Sequence, residues 1–165
     1  FDGPYFTRYH ERVHTSWIPL GDVPPMEGPL VVVEGSNRFE DLIAGTRGFD
    51  IALDPTRRAD LEDDFGTLAR ARGTRILTTH FRPGDVLVFG MYTLHGALDN
   101  VSPIGRVRLS VDVRYQPTSA PRDARYFGPN PGGHTSQGYG ALNGSRPLIE
   151  DWHQLTGESH ANRKT

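Results

Sequence analysis

A histidine, two arginines and a serine fall within a short run of strand-forming residues in the second half of the chain. His95 follows "DVLVFGMYTL", and Arg106, Arg108 and Ser110 lie in the segment "RVRLSVDVRY". A guanidinium fork beside a hydroxyl suits a carboxylate, because parallel charge-assisted hydrogen bonds fix its position and orientation. A histidine nearby can hold a metal ion. Together these residue types predict a site for a metal ion and a small diacid.

The segment that carries the arginines alternates between apolar and polar residues. Its apolar positions form one face of a strand, and the other face carries Arg106, Arg108, Ser110, Asp112 and Arg114. A half-exposed strand with one solvated face is the alternative explanation of this pattern. We expect the connector "GALDNVSPIG" to fold the strand back beside the one that ends at His95. A histidine that is simply satisfied at a strand end is the alternative interpretation of His95.

Most of the remaining chain has strand character at short intervals. "HTSWIPL" and "PLVVVEGS" are rich in β-branched and aromatic residues, and we expect them to be neighbouring strands across the turn-forming cluster "GDVPPMEG". After Asp54 the spacing of Asp60, Leu61, Phe65 and Leu68 predicts a helix that stops at Gly73. "TRILTTHF" and "VLVFGMY" are again strands, which favours antiparallel sheets in a sandwich or barrel. The Pro- and Gly-rich tail predicts an irregular arm that closes with a short helix at 146–155.

Composition limits the classes of protein that fit. At 165 residues and 18.3 kDa the chain has the size of one domain. It contains no cysteine, so any metal site must use His, Asp or Glu. The net charge of -2 argues against a nucleic-acid partner, and no apolar run reaches membrane-spanning length. We therefore expect a soluble, cytoplasmic protein, and the absence of an initiating Met suggests a fragment or a processed chain.

Three segments carry a resemblance to a known family. "HTSWIPLGDVPPMEGPLVVVEGSN", "FRPGDVLVFGMYTLHGALDN" and "RLSVDVRYQP" occur in this order, and the chain resembles the phytanoyl-CoA dioxygenase (PhyH) family of Fe(II)- and 2-oxoglutarate-dependent oxygenases over roughly 9–37 and 80–117. The resemblance implies a mainly β fold: a double-stranded β-helix, or jelly-roll/cupin-like barrel, with a few peripheral helices. Residues 1–165 would form a single domain that lacks the N-terminal helical part and a lid loop near residues 10–11.

The resemblance also implies roles for individual residues. His95 matches the second metal histidine, and His10 is the candidate for the first. Arg108 with Ser110 matches the element that binds the far carboxylate of 2-oxoglutarate, while Arg106 is an alternative because both arginines share a face. Trp17 corresponds to a residue that borders the cosubstrate, although core packing explains a Trp there equally well.

The chain departs from the family pattern at the first histidine. The family has His-x-Asp shortly before the Trp strand, whereas His10 is followed two residues later by Arg12. The chain could omit a loop between His10 and Glu11 that contains the aspartate, Glu11 could coordinate instead, or the site could have lost its metal. His14 is a weaker ligand candidate.

The activity implied by the resemblance is the Fe(II)- and 2-oxoglutarate-dependent oxidation of an unactivated C–H bond by O2. Hydroxylation of a small organic molecule, such as a natural-product intermediate, is the expected outcome, although relatives also close rings, epimerise or halogenate. Substrate selection would fall to 38–54 and 125–139, with the aromatic candidates Tyr92, Tyr126, Phe127 and Tyr139. One alternative is a non-catalytic jelly-roll binding module that has lost the metal site, and another is a cupin-type metalloenzyme that does not use 2-oxoglutarate.

Overall fold

The computed structural model of the protein describes residues 1–6, 10–54, 56–59 and 64–127. The chain divides into two compact units, Phe1–Pro121 and Arg122–Thr165. The first unit holds the strands and every candidate ligand. In the described part of the second unit, Arg125 pairs with Asp123. The helix predicted at 146–155 and the candidate Tyr139 lie outside the described residues.

The described residues of the first unit form two small antiparallel sheets. One sheet has the order β4-β1-β6 and the other β3-β2-β5. The strands are β1 His14–Pro19, β2 Leu30–Val33, β3 Ile76–Leu77, β4 Leu87–Gly90, β5 His95–Ala97 and β6 Ser110–Tyr115. The prediction of a mainly β chain with antiparallel sheets is confirmed.

Two predicted strand pairings are wrong. β1 and β2 are not neighbours but lie in different sheets. In the turn-forming segment that connects them, Val23 forms an isolated bridge with Phe81, and Glu27 forms one with Asn100. His95 does not end the strand before it but lies in its own strand β5, which pairs with β2, whereas β6 pairs with β1. The expected hairpin between His95 and the arginines is therefore replaced by two strands in different sheets.

Three short α-helices complete the described fold: α1 Gly3–Phe6, α2 Glu40–Thr46 and α3 Phe65–Ala71, with a 3₁₀ turn at Ser36–Arg38. The helix predicted after Asp54 is confirmed over α3. The Asp64 carboxylate accepts a hydrogen bond from the Gly66 amide at 2.8 Å and thereby caps the N-terminus of α3. Helix α2 was not predicted; its seven residues mix acidic, apolar and small side chains. No helix within the described ranges combines the length and apolar character needed to cross a bilayer.

The core consists of two clusters of buried side chains. One cluster joins the two sheets, because it combines Trp17 and Phe89 from β1 and β4 with Leu30 from β2. The other consists of Phe1, Val33, Ile43 and Leu94. The partly buried side chains that pack against it are Phe39, Leu42, Phe65, Leu68 and Tyr92. The N-terminal segment is thereby packed into the core beside the start of β5.

The polar face of β6 is only partly covered. Thr15 and Trp17 of β1 are buried, and they lie opposite Arg114 and Asp112 of β6. Side chains that are directly opposite in a ladder share a face. On this face Ser110 and Arg114 are half-buried, whereas Asp112 is exposed. The interpretation of a half-exposed strand thus holds for Asp112, while Ser110 and Arg114 are partly covered.

The contact between α3 and β5 generates a stability prediction. A Cβ on Gly96 would overlap the Phe65 ring. We expect Gly96→Ala to lower the free energy of unfolding by about 1–3 kcal/mol, because the ring or the strand must move. Gly90→Ala in β4 is the matched control, since a Cβ there has nothing within 4 Å. Equal urea-unfolding free energies for the two variants would contradict the packing described.

Candidate active site

A carboxylate and an imidazole meet where the N-terminal segment reaches β5. Asp2 Oδ1 lies 3.3 Å from His95 Nε2, and the two side chains are 11% and 17% exposed. The main chain of Asp2 is fixed because its amide and that of Gly3 both donate to the Met91 carbonyl, at 3.0 and 3.1 Å. The pair thus occupies a defined, largely water-excluded position between segments that are distant in sequence.

The hydrogen bond at Nδ1, the ring nitrogen of His95 that does not face Asp2, fixes the tautomer of the imidazole. His95 Nδ1 lies 2.9 Å from the Thr93 carbonyl oxygen. A carbonyl oxygen only accepts, so Nδ1 carries the proton. Nε2 is the ring nitrogen that faces Asp2 Oδ1. This arrangement, with Nδ1–H donated to a backbone carbonyl, is the one that metal-ligating histidines use to orient Nε2.

The surroundings of Asp2 favour its charged form. Burial raises the pKa of the carboxyl, but the hydrogen bond and charge of His95, the charge of Arg114 and the Thr15 hydroxyl lower it. The net result is a pKa below the usual value. Asp2 is therefore available as an anionic oxygen ligand at neutral pH.

The donor set fits a divalent cation such as Fe(II). Two ligand atoms about 2.1 Å from one cation and about 90° apart lie about 3.0 Å from each other. The observed 3.3 Å between Asp2 Oδ1 and His95 Nε2 is close to that separation. Across the portion of the chain that the structure describes, no third His, Asp or Glu joins them to complete a cluster. A facial site of two histidines and one carboxylate needs one ligand more than this pair.

A guanidinium lies on the same inner face as this pair. Arg108 Nε donates to the Gly28 carbonyl at 2.6 Å, and its Nη1 donates to Ser110 Oγ at 2.6 Å. Its Cζ lies 5.5 Å from the centre of the Trp17 ring. Gly28 has φ 66, and a Cβ there would come within 2.8 Å of the Leu98 carbonyl oxygen, so this turn requires glycine. The turn, the hydroxyl and the indole together hold the Arg108 head group.

Arg106 has a different environment, which separates the two candidate arginines. Its Nε donates to both Glu27 carboxylate oxygens, at 2.8 and 2.7 Å. The Glu27 side chain is only 4% exposed. A buried carboxylate requires such a partner. Arg106 is thus engaged in a structural ion pair, and Arg108 is the better candidate for an incoming carboxylate.

Strand β1 aligns the two halves of the site. Thr15 Oγ1 donates to Asp2 Oδ2 at 2.9 Å, and Thr15 lies opposite Phe89, whose ring centre is 4.4 Å from that of His95. Trp17, two residues further along the same face, lies under Arg108. Alternate residues on a strand are about 7 Å apart. A separation of about 7 Å suits a ligand that binds a cation at one end and a guanidinium at the other.

The residues expected near the first metal ligand lie in separate contacts. His10 Nδ1 accepts from the Arg12 amide at 3.1 Å, and its buried Nε2 has no hydrogen-bond partner among the described residues. Glu11 accepts from the Tyr92 hydroxyl at 2.8 Å and lies 3.4 Å from Arg47. His14 is exposed. None of these has a described contact with Asp2 or His95, and the role of His10 stays a prediction.

Asp2 is the site residue that sequence reasoning missed. The search for His-x-Asp started from the histidine at position 10, so the carboxylate was sought after it. Asp2 is the one acidic residue upstream of Glu11, and it stands in "FDG".

The sequence profile of the phytanoyl-CoA dioxygenase (PhyH) family matches residues 2–107. The chain belongs to this family. The match includes Asp2, Trp17 and His95, and it ends one residue before Arg108. Family membership agrees with the sequence resemblance, which covered a narrower part of the chain.

Two curated relatives are similar to the chain. Both are 1-deoxypentalenic acid 11-beta-hydroxylases, from Streptomyces exfoliatus and Streptomyces arenae. Each is 32% identical over 123 residues, which is 71% of this chain and 40% of the relative. The chain thus spans well under half the length of these hydroxylases.

Proposed function

We propose that the protein is an Fe(II)- and 2-oxoglutarate-dependent oxygenase with a jelly-roll fold that hydroxylates an unactivated C–H bond of a small organic molecule in the cytoplasm. One observation carries the proposal: Asp2 and His95 converge on the inner face of β1, and Arg108 lies further along that face. The hydroxylase names of the two relatives support hydroxylation, and the substrate class we propose is a natural-product intermediate.

Asp2 and His95 are the proposed metal ligands from the described residues. The resemblance calls for a second histidine beside the metal carboxylate. We propose His10 as this third ligand; its buried Nε2 has no hydrogen-bond partner among the described residues. Iron held by two histidines and one carboxylate keeps three positions free for the cosubstrate and O2.

Arg108 and Ser110 are the proposed anchor for the far carboxylate of 2-oxoglutarate. The guanidinium is held by Gly28 and the Trp17 ring before any ligand arrives, so little rotamer freedom is lost when the carboxylate binds. Trp17 would border the carbon chain of the cosubstrate and exclude water from it. When bound, iron supplies the redox chemistry that couples 2-oxoglutarate and O2 to C–H oxidation, with succinate, CO2 and the alcohol as products.

The choice of Asp2 as a ligand generates the first functional prediction. In full-length protein, anaerobic Fe(II) with 2-oxoglutarate should give the weak visible charge-transfer band of a chelated complex. We expect Asp2→Ala and His95→Ala each to abolish the band, because each removes a ligand. His10→Ala should abolish it as well if His10 is the third ligand.

Other outcomes distinguish the remaining hypotheses. Retention of the band in His10→Ala would remove His10 from the metal site. Absence of the band from the unmodified full-length protein, at saturating Fe(II) and 2-oxoglutarate, would favour the non-catalytic binding module. Circular dichroism of each variant checks that the fold is retained.

The assignment of Arg108 generates a second prediction. Arg108→Met should raise the concentration of 2-oxoglutarate needed for half-maximal band formation about 100-fold, because charge-assisted hydrogen bonds worth about 3 kcal/mol are lost. Arg106→Lys is the control, since it keeps a cation beside Glu27, and it should leave that concentration nearly unchanged. If Arg106→Lys raises this concentration strongly and Arg108→Met does not, the far carboxylate of 2-oxoglutarate is assigned to Arg106. No change in either variant would favour a cupin-type enzyme that does not use 2-oxoglutarate.

A further inference from the structure

The two oxygens of the Asp2 carboxylate have different neighbours. Oδ1 faces His95 Nε2 at 3.3 Å. Oδ2 accepts the Thr15 hydroxyl at 2.9 Å and lies 3.7 Å from Arg114 Nη2. The carboxylate is thereby divided into one oxygen that points at the imidazole and one that is already occupied by protein groups.

The register of the first sheet produces this division. Thr15 of β1 and Arg114 of β6 are directly opposite each other and share the inner face. Arg114 is itself held in place, because its Cζ lies 4.2 Å from the centre of the Phe6 ring of α1. The backbone of α1 starts at Gly3, so the helix that holds Arg114 also begins beside Asp2. Thr15 is buried, and Arg114 contacts both the Phe6 ring and Asp2 Oδ2, so both neighbours of Oδ2 lie in packed surroundings.

We propose that Thr15 and Arg114 are positioning residues that hold Asp2 as a single-oxygen ligand, with Oδ1 directed at the cation and Oδ2 kept away from it. This inference rests on the proposed function. If both oxygens bound the cation, Asp2 would take two positions, and one position fewer would remain for cosubstrate and O2. A hydrogen bond and a nearby guanidinium on Oδ2 favour the one-oxygen geometry and fix the orientation of the ligand.

Arg114 therefore has a different role from Arg108, although both project from the same face of one strand. Arg108 contacts a carbonyl, a hydroxyl and an indole, which leaves its charge available to an incoming anion. The charge of Arg114 is directed at the Asp2 carboxylate. Removal of Arg114 should therefore affect the metal ion first and 2-oxoglutarate only through it.

The test is the affinity of full-length protein for Co(II) alone, measured by calorimetry together with the visible d–d spectrum. Thr15→Val, which keeps the shape but removes the hydroxyl, should weaken Co(II) binding about 10- to 100-fold and alter the spectrum. Arg114→Met should do the same. Thr15→Ser should bind as the unmodified protein does, because it restores the hydroxyl. Ser16→Ala, on the opposite face of β1, is the control and should change neither quantity.

The outcomes separate this inference from the proposed function. If Co(II) binding requires Asp2 but Thr15→Val and Arg114→Met match the unmodified protein, the positioning role is contradicted and the metal site stands. If Thr15→Ser also loses affinity, the hydroxyl is not the group that matters and the inference is overturned. If neither the unmodified protein nor Asp2→Ala binds Co(II), the proposed function itself fails. Thermal unfolding of each metal-free variant shows whether a lost affinity merely follows lost stability.

Discussion

The contact between Asp2 and His95 is the interaction on which the proposed site depends. It joins a segment at the start of the sequence to a strand more than ninety residues later, and both partners are largely buried. Isolated charges are expensive to bury, so such a pair needs compensation from its surroundings. Thr93, Thr15 and Arg114 provide it by bonding or facing the outer atoms of the imidazole and the carboxylate. The result is a carboxylate oxygen and an imidazole nitrogen held 3.3 Å apart.

The partly covered polar face of β6 is the second constraint. An apolar face would give a fuller core, and the exposed Val107 and Leu109 show that the sequence places apolar side chains on the other side instead. The inner positions carry Arg108, Ser110 and Arg114, each of which has partners in β1, in the Gly28 turn or in the N-terminal segment. Polar side chains at positions that could extend the core are typical of functional sites, which agrees with the proposed function.

The sequence predicts the strands well, because runs of β-branched and aromatic residues favour extended structure locally. It predicts their pairing poorly, because the partners of Val23 and Glu27 are distant residues that no local pattern reveals. Arg108 was preferred to Arg106 because Ser110 follows it, and the buried Glu27 gives the physical reason for that preference. Asp2 was missed because nothing local in "FDG" distinguishes it from a turn aspartate. Its position beside His95 arises from tertiary contacts: the packing of Phe1, the bonds to Met91 and the Thr15 hydroxyl.

The most direct test is a crystal structure of the full-length protein grown anaerobically with Mn(II) and 2-oxoglutarate, with the metal located by anomalous scattering. We expect one anomalous peak between Asp2 and His95, at about 2.0–2.2 Å from one Asp2 oxygen and from His95 Nε2. We also expect the far carboxylate of 2-oxoglutarate to lie against Arg108. A metal ion bound elsewhere, with Asp2 and His95 still in direct contact with each other, would contradict the assignment of this pair as the metal ligands.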